Sequence, residues 1–163
     1  MFDGQLFPTM VIGSLPRPQW VIDLITDREQ RKISEDQFDR AIEPAIRFAI
    51  AMQEQAGIDI ITDGEWRRQT YFTGFARAVD GFADDVIEVR LLNGKTRTWP
   101  GVVSKFKYTR TIVADEIAFV KQHTKRKGKA TLPSPYMIDR WFYDPDMSRD
   151  AYPRREDLIQ DAA

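Results

Sequence analysis

Apolar and polar positions change period several times along this chain, and each change marks an element. Met10 to Ile12 is a short β-compatible apolar run bounded by Gly13 and Pro16, the pattern of a short buried strand. From about Gln19 to Arg31, Trp20, Val21, Leu24 and Ile25 fall on one side of a helix. "SEDQ" at Ser34 to Gln37 then has the S-x-x-Q form of a capping box. Phe38, Ile42, Ile46, Ala49, Ile50 and Gln53 follow at helical spacing to about Ala56, with Pro44 a bend and Gly57 a stop. "IDIITDGE" next runs apolar from Ile58 to Ile61 and breaks into Asp63, Gly64 and Glu65. Three isoleucines with little alternation predict a second buried strand covered on both faces, as in a parallel sheet.

Strand, helix, strand is a βαβ unit, since parallel strands need a crossover. Residues 86–103 behave differently: "VIEVRLLNGKTRTW" alternates around Asn93-Gly94, which predicts an inserted antiparallel hairpin. A helix over Ala114 to His123 and a basic turn at Lys125 to Lys129 lead into a third strand, "KATLPSP". An irregular "YMIDRWFYDPDM" follows, and "REDLIQDAA" begins a last helix. The expected class is α/β: a single domain over 1–163 that forms the first three βα units of a (β/α)8 TIM-type barrel with a hairpin inserted at 86–103. A whole barrel of that kind takes about 250 residues, so the chain reads as its first part.

Charge and composition narrow the partners. With 24 basic and 25 acidic residues the net charge is −1, and no overall field steers the chain toward nucleic acid or a membrane. There is no cysteine, which excludes disulfides, thiol nucleophiles and Cys-type zinc sites. No stretch approaches the roughly 20 apolar residues that span a bilayer, and the expected location is the cytoplasm.

If the strands are parallel, Ser14 and Glu65 both lie just past strand C-termini, where α/β barrels gather functional groups. A hydroxyl with exposed amides after Ile12 suits a carboxylate, and Glu65 suits an ammonium group. Together they would grip both charged ends of an amino acid, and should lie within about 10 Å of each other because neighbouring strands are about 4.8 Å apart. The plainer alternative is that Gly13 and Ser14 only make a turn and Glu65 only caps one.

"TMVIGSLPRP" followed by "ITDGEWRRQTYFTGFARAVDGF" resembles the N-terminal part of the catalytic barrel of cobalamin-independent methionine synthase and its shorter relatives, and "KATLPSPYMI" resembles that family's third strand. The resemblance runs from about Pro8 to the last residue and covers about the first half of the family's barrel. It implies zinc-dependent methyl transfer from 5-methyltetrahydrofolate, as the polyglutamate, to the thiol of homocysteine, giving methionine. It also implies that Ile12, Gly13 and Ser14 hold the amino-acid end of homocysteine and that Glu65 binds its amine. The family's zinc ligands are His, Glu and Cys residues of the later barrel. This chain has none of those positions, so the resemblance gives it no metal ligand and no catalytic residue.

Other positions carry two readings each. Trp141, beside Phe142, offers a flat surface for a pterin ring or belongs to a core. Arg67 and Arg68 reach an anionic polyglutamate or pair with nearby acids. Lys125, Arg126, Lys127 and Lys129 make a solvated turn rather than a nucleic-acid site. His123, the one histidine, reads as a helix-end residue. Asp63 and Glu65 lack the third partner that acid–base work needs. The leading expectation is thus the amino-acid-binding half of a methyltransferase barrel. The alternatives are a non-catalytic small-molecule-binding or assembly module, or a relative that alkylates a different thiol. Three strands of eight leave open edges, so a second chain completing the barrel, or a homo-oligomer, is expected unless the hairpin and tail cover the edge.

Overall fold

Ser34 opens the longest helix as its sequence predicts: Gln37 N–H donates to Ser34 Oγ at 3.2 Å, and Ser34 N–H donates to Gln37 Oε1 at 2.8 Å. The computed structural model describes residues 6–70, 72–90 and 93–163. Its elements in chain order are α1 (Gln19–Glu29), α2 (Glu35–Gln55), β1 (Ile60–Ile61), α3 (Thr73–Ala78), β2 (Val79–Arg90), β3 (Thr96–Tyr108), α4 (Ala114–His123), β4 (Lys127–Gly128), α5 (Pro135–Phe142), α6 (Pro145–Ser148) and α7 (Arg155–Asp161). They group into two compact units, one of Met1–Tyr71 with Val113–Thr131 and one of Phe72–Ile112 with Leu132–Ala163.

The first unit has the parallel order its pattern predicts. Met10 bridges Ile60 in parallel, and β1 pairs in parallel with β4, Ile60 opposite Lys127 and Ile61 opposite Gly128. The amphipathic faces of α1 and α2 bury Val21, Ile25, Phe38, Ile42, Ala45, Ile46, Ala49 and Ile50 with Ile61, Trp66 and Val120. Each buried Val, Ile or Phe side chain among them contributes about 1.5–3 kcal/mol, so this cluster is the main support of the unit. Gly57, at φ 78°, ends the descent from α2 as expected. Two expectations change. The first strand shrinks to the bridge at Met10, and Ile12 is 87% exposed rather than buried. The third strand is Lys127–Gly128, immediately before "KATLPSP" rather than within it.

Beyond these short strands, side chains hold the backbone. Lys129 Nζ donates to the Val11 carbonyl, and Arg126 donates to the carbonyls of Ile58 and, at 3.1 Å, Glu54. Two members of the basic run are therefore tied to backbone oxygens and are not merely solvated.

In the second unit the hairpin is longer than 86–103: β2 and β3 pair antiparallel from Val79 opposite Tyr108 to Arg90 opposite Thr96, with irregular register between Asp80 and Phe82 and between Ala83 and Ile87. Asn93 and Gly94 lie in its loop, with Lys95 N–H on Asn93 Oδ1 at 3.1 Å and Gly94 at φ 79°. Leu91 and Leu92, part of that predicted hairpin, lie outside the described residues. The segment expected to be irregular instead forms α5 and α6. Ser134 Oγ accepts from Met137 N–H at 3.3 Å with Pro135 in the first turn, and Asp144 with Pro145 repeats the device. Ser148 at the end of α6 and Tyr152 in the segment after it bind the hairpin: Ser148 Oγ donates to Val102 O at 2.6 Å, and Tyr152 Oη accepts from Phe106 N–H at 2.7 Å.

Candidate functional site

The ends of the two predicted strands meet in the first unit. Ser14 Oγ donates to Glu65 Oε2 at 2.7 Å, well inside the 10 Å expected of them. The two loops are tied together at three further points. Leu15 N–H donates to Gly64 O at 3.1 Å, Trp66 Nε1 donates to Leu15 O at 3.2 Å, and Arg17 Nη2 donates to Glu65 O at 2.8 Å. Trp66 is fully buried, so the clasp is anchored in the core.

The Asp-Gly-Glu turn is itself held by side chains. Thr62 Oγ1 accepts from Gly64 N–H at 3.0 Å, and Asp63 Oδ1 accepts from Glu65 N–H at 2.9 Å. Gly64 sits at φ 73°, where a Cβ would lie 3.2 Å from the Trp66 ring and 3.3 Å from Leu15, so glycine serves both conformation and space. Glu65 follows at φ 56°, left-handed without being glycine. Such a backbone costs about 1–3 kcal/mol and persists where the surroundings enforce it. Here it turns a carboxylate, only 5% exposed, onto Ser14.

Gln53, read from sequence only as a face position of α2, fixes the strand end beneath this turn. Its buried amide accepts from Thr62 N–H at 3.0 Å and donates to Thr62 O at 2.8 Å and Ala49 O at 2.9 Å. It thus pairs with residue 62 as a neighbouring strand would. A polar residue at a helical core position is the signal that could have disclosed it.

The electrostatics are concentrated. Arg68 pairs with Glu116 and donates to Thr131 O at 2.7 Å, while Arg67 pairs with Asp39 at 2.9 Å. Burial lowers the Arg68 pKa, and the hydrogen bond and charge of Glu116 more than reverse it. Burial pushes the Asp63 carboxyl up from 3.8 to about 6, with Glu116 adding to the rise and the Glu65 N–H, Arg68 and Arg67 opposing it. Asp63 Oδ2 is buried with no hydrogen-bond partner among the described residues. Burial also lowers the pKa of Arg17, against the pull of Glu65 and Asp63.

A buried carboxylate, a hydroxyl and an arginine at the C-terminal ends of parallel strands can bind a small zwitterion. The family model described as "Cobalamin-independent synthase, Catalytic domain" matches residues 7–163. The chain belongs to this family. Among its relatives, the methionine synthase of Sulfurisphaera tokodaii is 33% identical over 97% of this chain and 45% of its own length. That of Pyrococcus furiosus is 32% identical over the same shares. A B12-independent methionine synthase from Shewanella sp. W3-18-1, solved in complex with selenomethionine, superposes with a TM-score of 0.76 at 25% identity over 96% of this chain and 45% of that one. A putative vitamin-B12-independent methionine synthase from Listeria monocytogenes shares the fold, with a TM-score of 0.63 at 20% identity over 98% of this chain and 51% of that one. The chain therefore spans about half the length of the relatives it matches.

In this family member, the remaining candidates divide between the units. Ile12 and Gly13 stand exposed beside Ser14, with nothing within 4 Å of where a Gly13 Cβ would point. Trp141 belongs to the second unit, on α5, half-buried against Phe72 at 5.8 Å and Trp99 at 6.0 Å between ring centroids. Its indole nitrogen is buried without a partner among the described residues. His123 rests its ring on Phe119 at 4.2 Å, with Nδ1 2.8 Å from the Phe119 carbonyl. Among the described residues no three His, Cys, Asp or Glu side chains group as a metal site, and no described helix is long and apolar enough to cross a membrane.

Proposed function

We propose that this chain forms the amino-acid-binding part of a methyltransferase barrel, its first three βα units, acting in homocysteine methylation to methionine. The observation that supports the reading is the Ser14–Glu65 contact, formed by a strained buried glutamate between the two motifs that carry the sequence resemblance. Glu65 receives the substrate ammonium. Ile12, Gly13 and Ser14 line the side where the carboxylate lies. An ammonium on a carboxylate shielded from bulk water makes a charge-assisted hydrogen bond, stronger than the same pair in solvent. The selenomethionine held by the Shewanella protein is a ligand of the same chemical class.

The methyl donor in this reading is 5-methyltetrahydrofolate in its polyglutamate form, with Trp141 as the stacking face for the pterin. A thiolate-activating zinc needs soft ligands, and the chain has no cysteine and a single histidine turned onto Phe119. The residues present do not fit that ion, so none is assigned to it. A second chain, or a second copy, bringing the later strands is the partner the reading calls for, and the cytoplasm is its location.

The reading assigns no described residue of the first unit to the sulfur end, so a thiol other than homocysteine fits the same clasp, and binding without turnover is the rival outcome. The test is methyl transfer from 5-methyltetrahydrofolate to homocysteine, by the chain alone and mixed with a zinc-loaded chain carrying the rest of the family barrel. Turnover in the mixture alone is expected. Binding of homocysteine with no turnover in either case favours the binding module.

A further inference from the structure

Ser14 has one hydroxyl proton, and it is committed to Glu65 Oε2 at 2.7 Å. While that bond stands, the hydroxyl can accept from a ligand but cannot donate to a carboxylate. The exposed backbone amides after Ile12 can still donate to the negative end of an amino acid, but they carry no full charge to match it. Arg17, three residues on in the same loop, lies beside the same oxygen: its Nη2 is 3.5 Å from Ser14 Oγ and 2.8 Å from Glu65 O. The guanidinium carries five donors. Its Nε is buried with no partner among the described residues, and its Nη2 bonds are those just named.

Resting on the amino-acid reading of this site, we infer that Arg17 is the carboxylate-binding residue of the clasp. Glu65 and Arg17 both approach one hydroxyl, as the ammonium and carboxylate of an α-amino acid both stand on one carbon, so the two pairs of charges match in sign. Guanidinium is the suited partner because its planar fork meets a carboxylate with two parallel N–H bonds. Burial, which lowers the arginine's pKa, also marks a cation that gains from an incoming anion. The plain structural alternative is that Arg17 only fastens the Glu65 carbonyl.

Two homocysteine analogues separate these roles: 3-aminopropane-1-thiol lacks the carboxylate, and 4-sulfanylbutanoate lacks the amine. Binding is measured by calorimetry on the full chain and on Arg17→Ala and Arg17→Lys, each checked for an unfolding midpoint near wild type. Arg17→Ala should weaken homocysteine and 4-sulfanylbutanoate by at least about tenfold and leave 3-aminopropane-1-thiol unchanged, since only the first two lose a charge-assisted hydrogen bond. Arg17→Lys keeps the charge without the fork and should fall between. Equal weakening of all three ligands overturns the inference and leaves Arg17 a fastener, with the amino-acid reading intact. Failure of the wild-type chain to bind homocysteine overturns both.

Discussion

Ser14 Oγ and Glu65 Oε2 meet at 2.7 Å although 51 positions separate them, and Glu65 reaches that contact from a backbone at φ 56°. Strain at a residue whose side chain faces a ligand is the mark of a position held for binding rather than stability. Glu65→Gly should relieve about 1 kcal/mol of left-handed strain while Ser14, which is exposed, turns to water. The unfolding midpoint is expected at or above wild type, with homocysteine binding abolished. A drop of several degrees would mean that the glutamate is a structural cap.

Asp63 gives the site a pH signature. Its carboxyl is pushed up to about 6 by burial and then by Glu116, so the folded state holds its proton more tightly than the unfolded state. The stability that the protonated group contributes is fully present below about pH 4 and is lost as pH rises through 6. Asp63→Asn keeps an oxygen to accept from Glu65 N–H and never ionises. It should be more stable than wild type by about 1–3 kcal/mol at pH 7.5, with the difference vanishing near pH 4. Urea unfolding of both proteins across that range measures it, and a constant difference would contradict the assignment.

Gln53 holds residue 62 by both backbone groups, accepting from Thr62 N–H and donating to Thr62 O, and its amide is braced in turn on Ala49 O. Gln53→Leu keeps the volume but leaves the Thr62 backbone unpaired, at an expected cost of about 2–4 kcal/mol in chemical unfolding. Homocysteine affinity should fall as well, because the turn that presents Glu65 begins at Thr62. Loss of stability with unchanged affinity would separate the two.

What the sequence disclosed and what it hid follow from range. The α2 cap, Gly57 and the apolar run of "IDII" are local signals, and local hydrogen bonding or burial decides them. The pairing of Ser14 with Glu65 was legible because both follow apolar runs that stop abruptly. The first strand's shortness was not, since Ile12 looks buried in any window of its neighbours and is exposed only by where the sheet ends. Lys129 on the Val11 carbonyl joins residues 118 apart, which no periodicity can report. The α5 start carries a local signal in Ser134-Pro135, a helix-opening pair, but the strand-like pattern of "KATLPSP" runs across it.

Trp141 packs within an aromatic cluster, so its folate role needs a variant that keeps the packing. Trp141→Phe retains a ring against Phe72 and Trp99 and removes the wider indole face. Affinity for 5-methyltetrahydrofolate, measured by calorimetry, should fall a few-fold, less than the ~1–3 kcal/mol lost when a stacking aromatic is removed altogether, because phenylalanine keeps part of the face. Unchanged affinity would assign Trp141 to the core alone.

The central claim is that Glu65 holds the ammonium of an amino acid, and calorimetric titration of L-homocysteine into the wild-type chain and Glu65→Gln at pH 7.5 tests it most directly. Glutamine keeps the shape and the capacity to accept from Ser14 but carries no charge. The account predicts saturable one-to-one binding by wild type and at least about tenfold weaker binding by the variant at an unchanged unfolding midpoint. Equal affinity for the two proteins, or no binding by wild type, would contradict it.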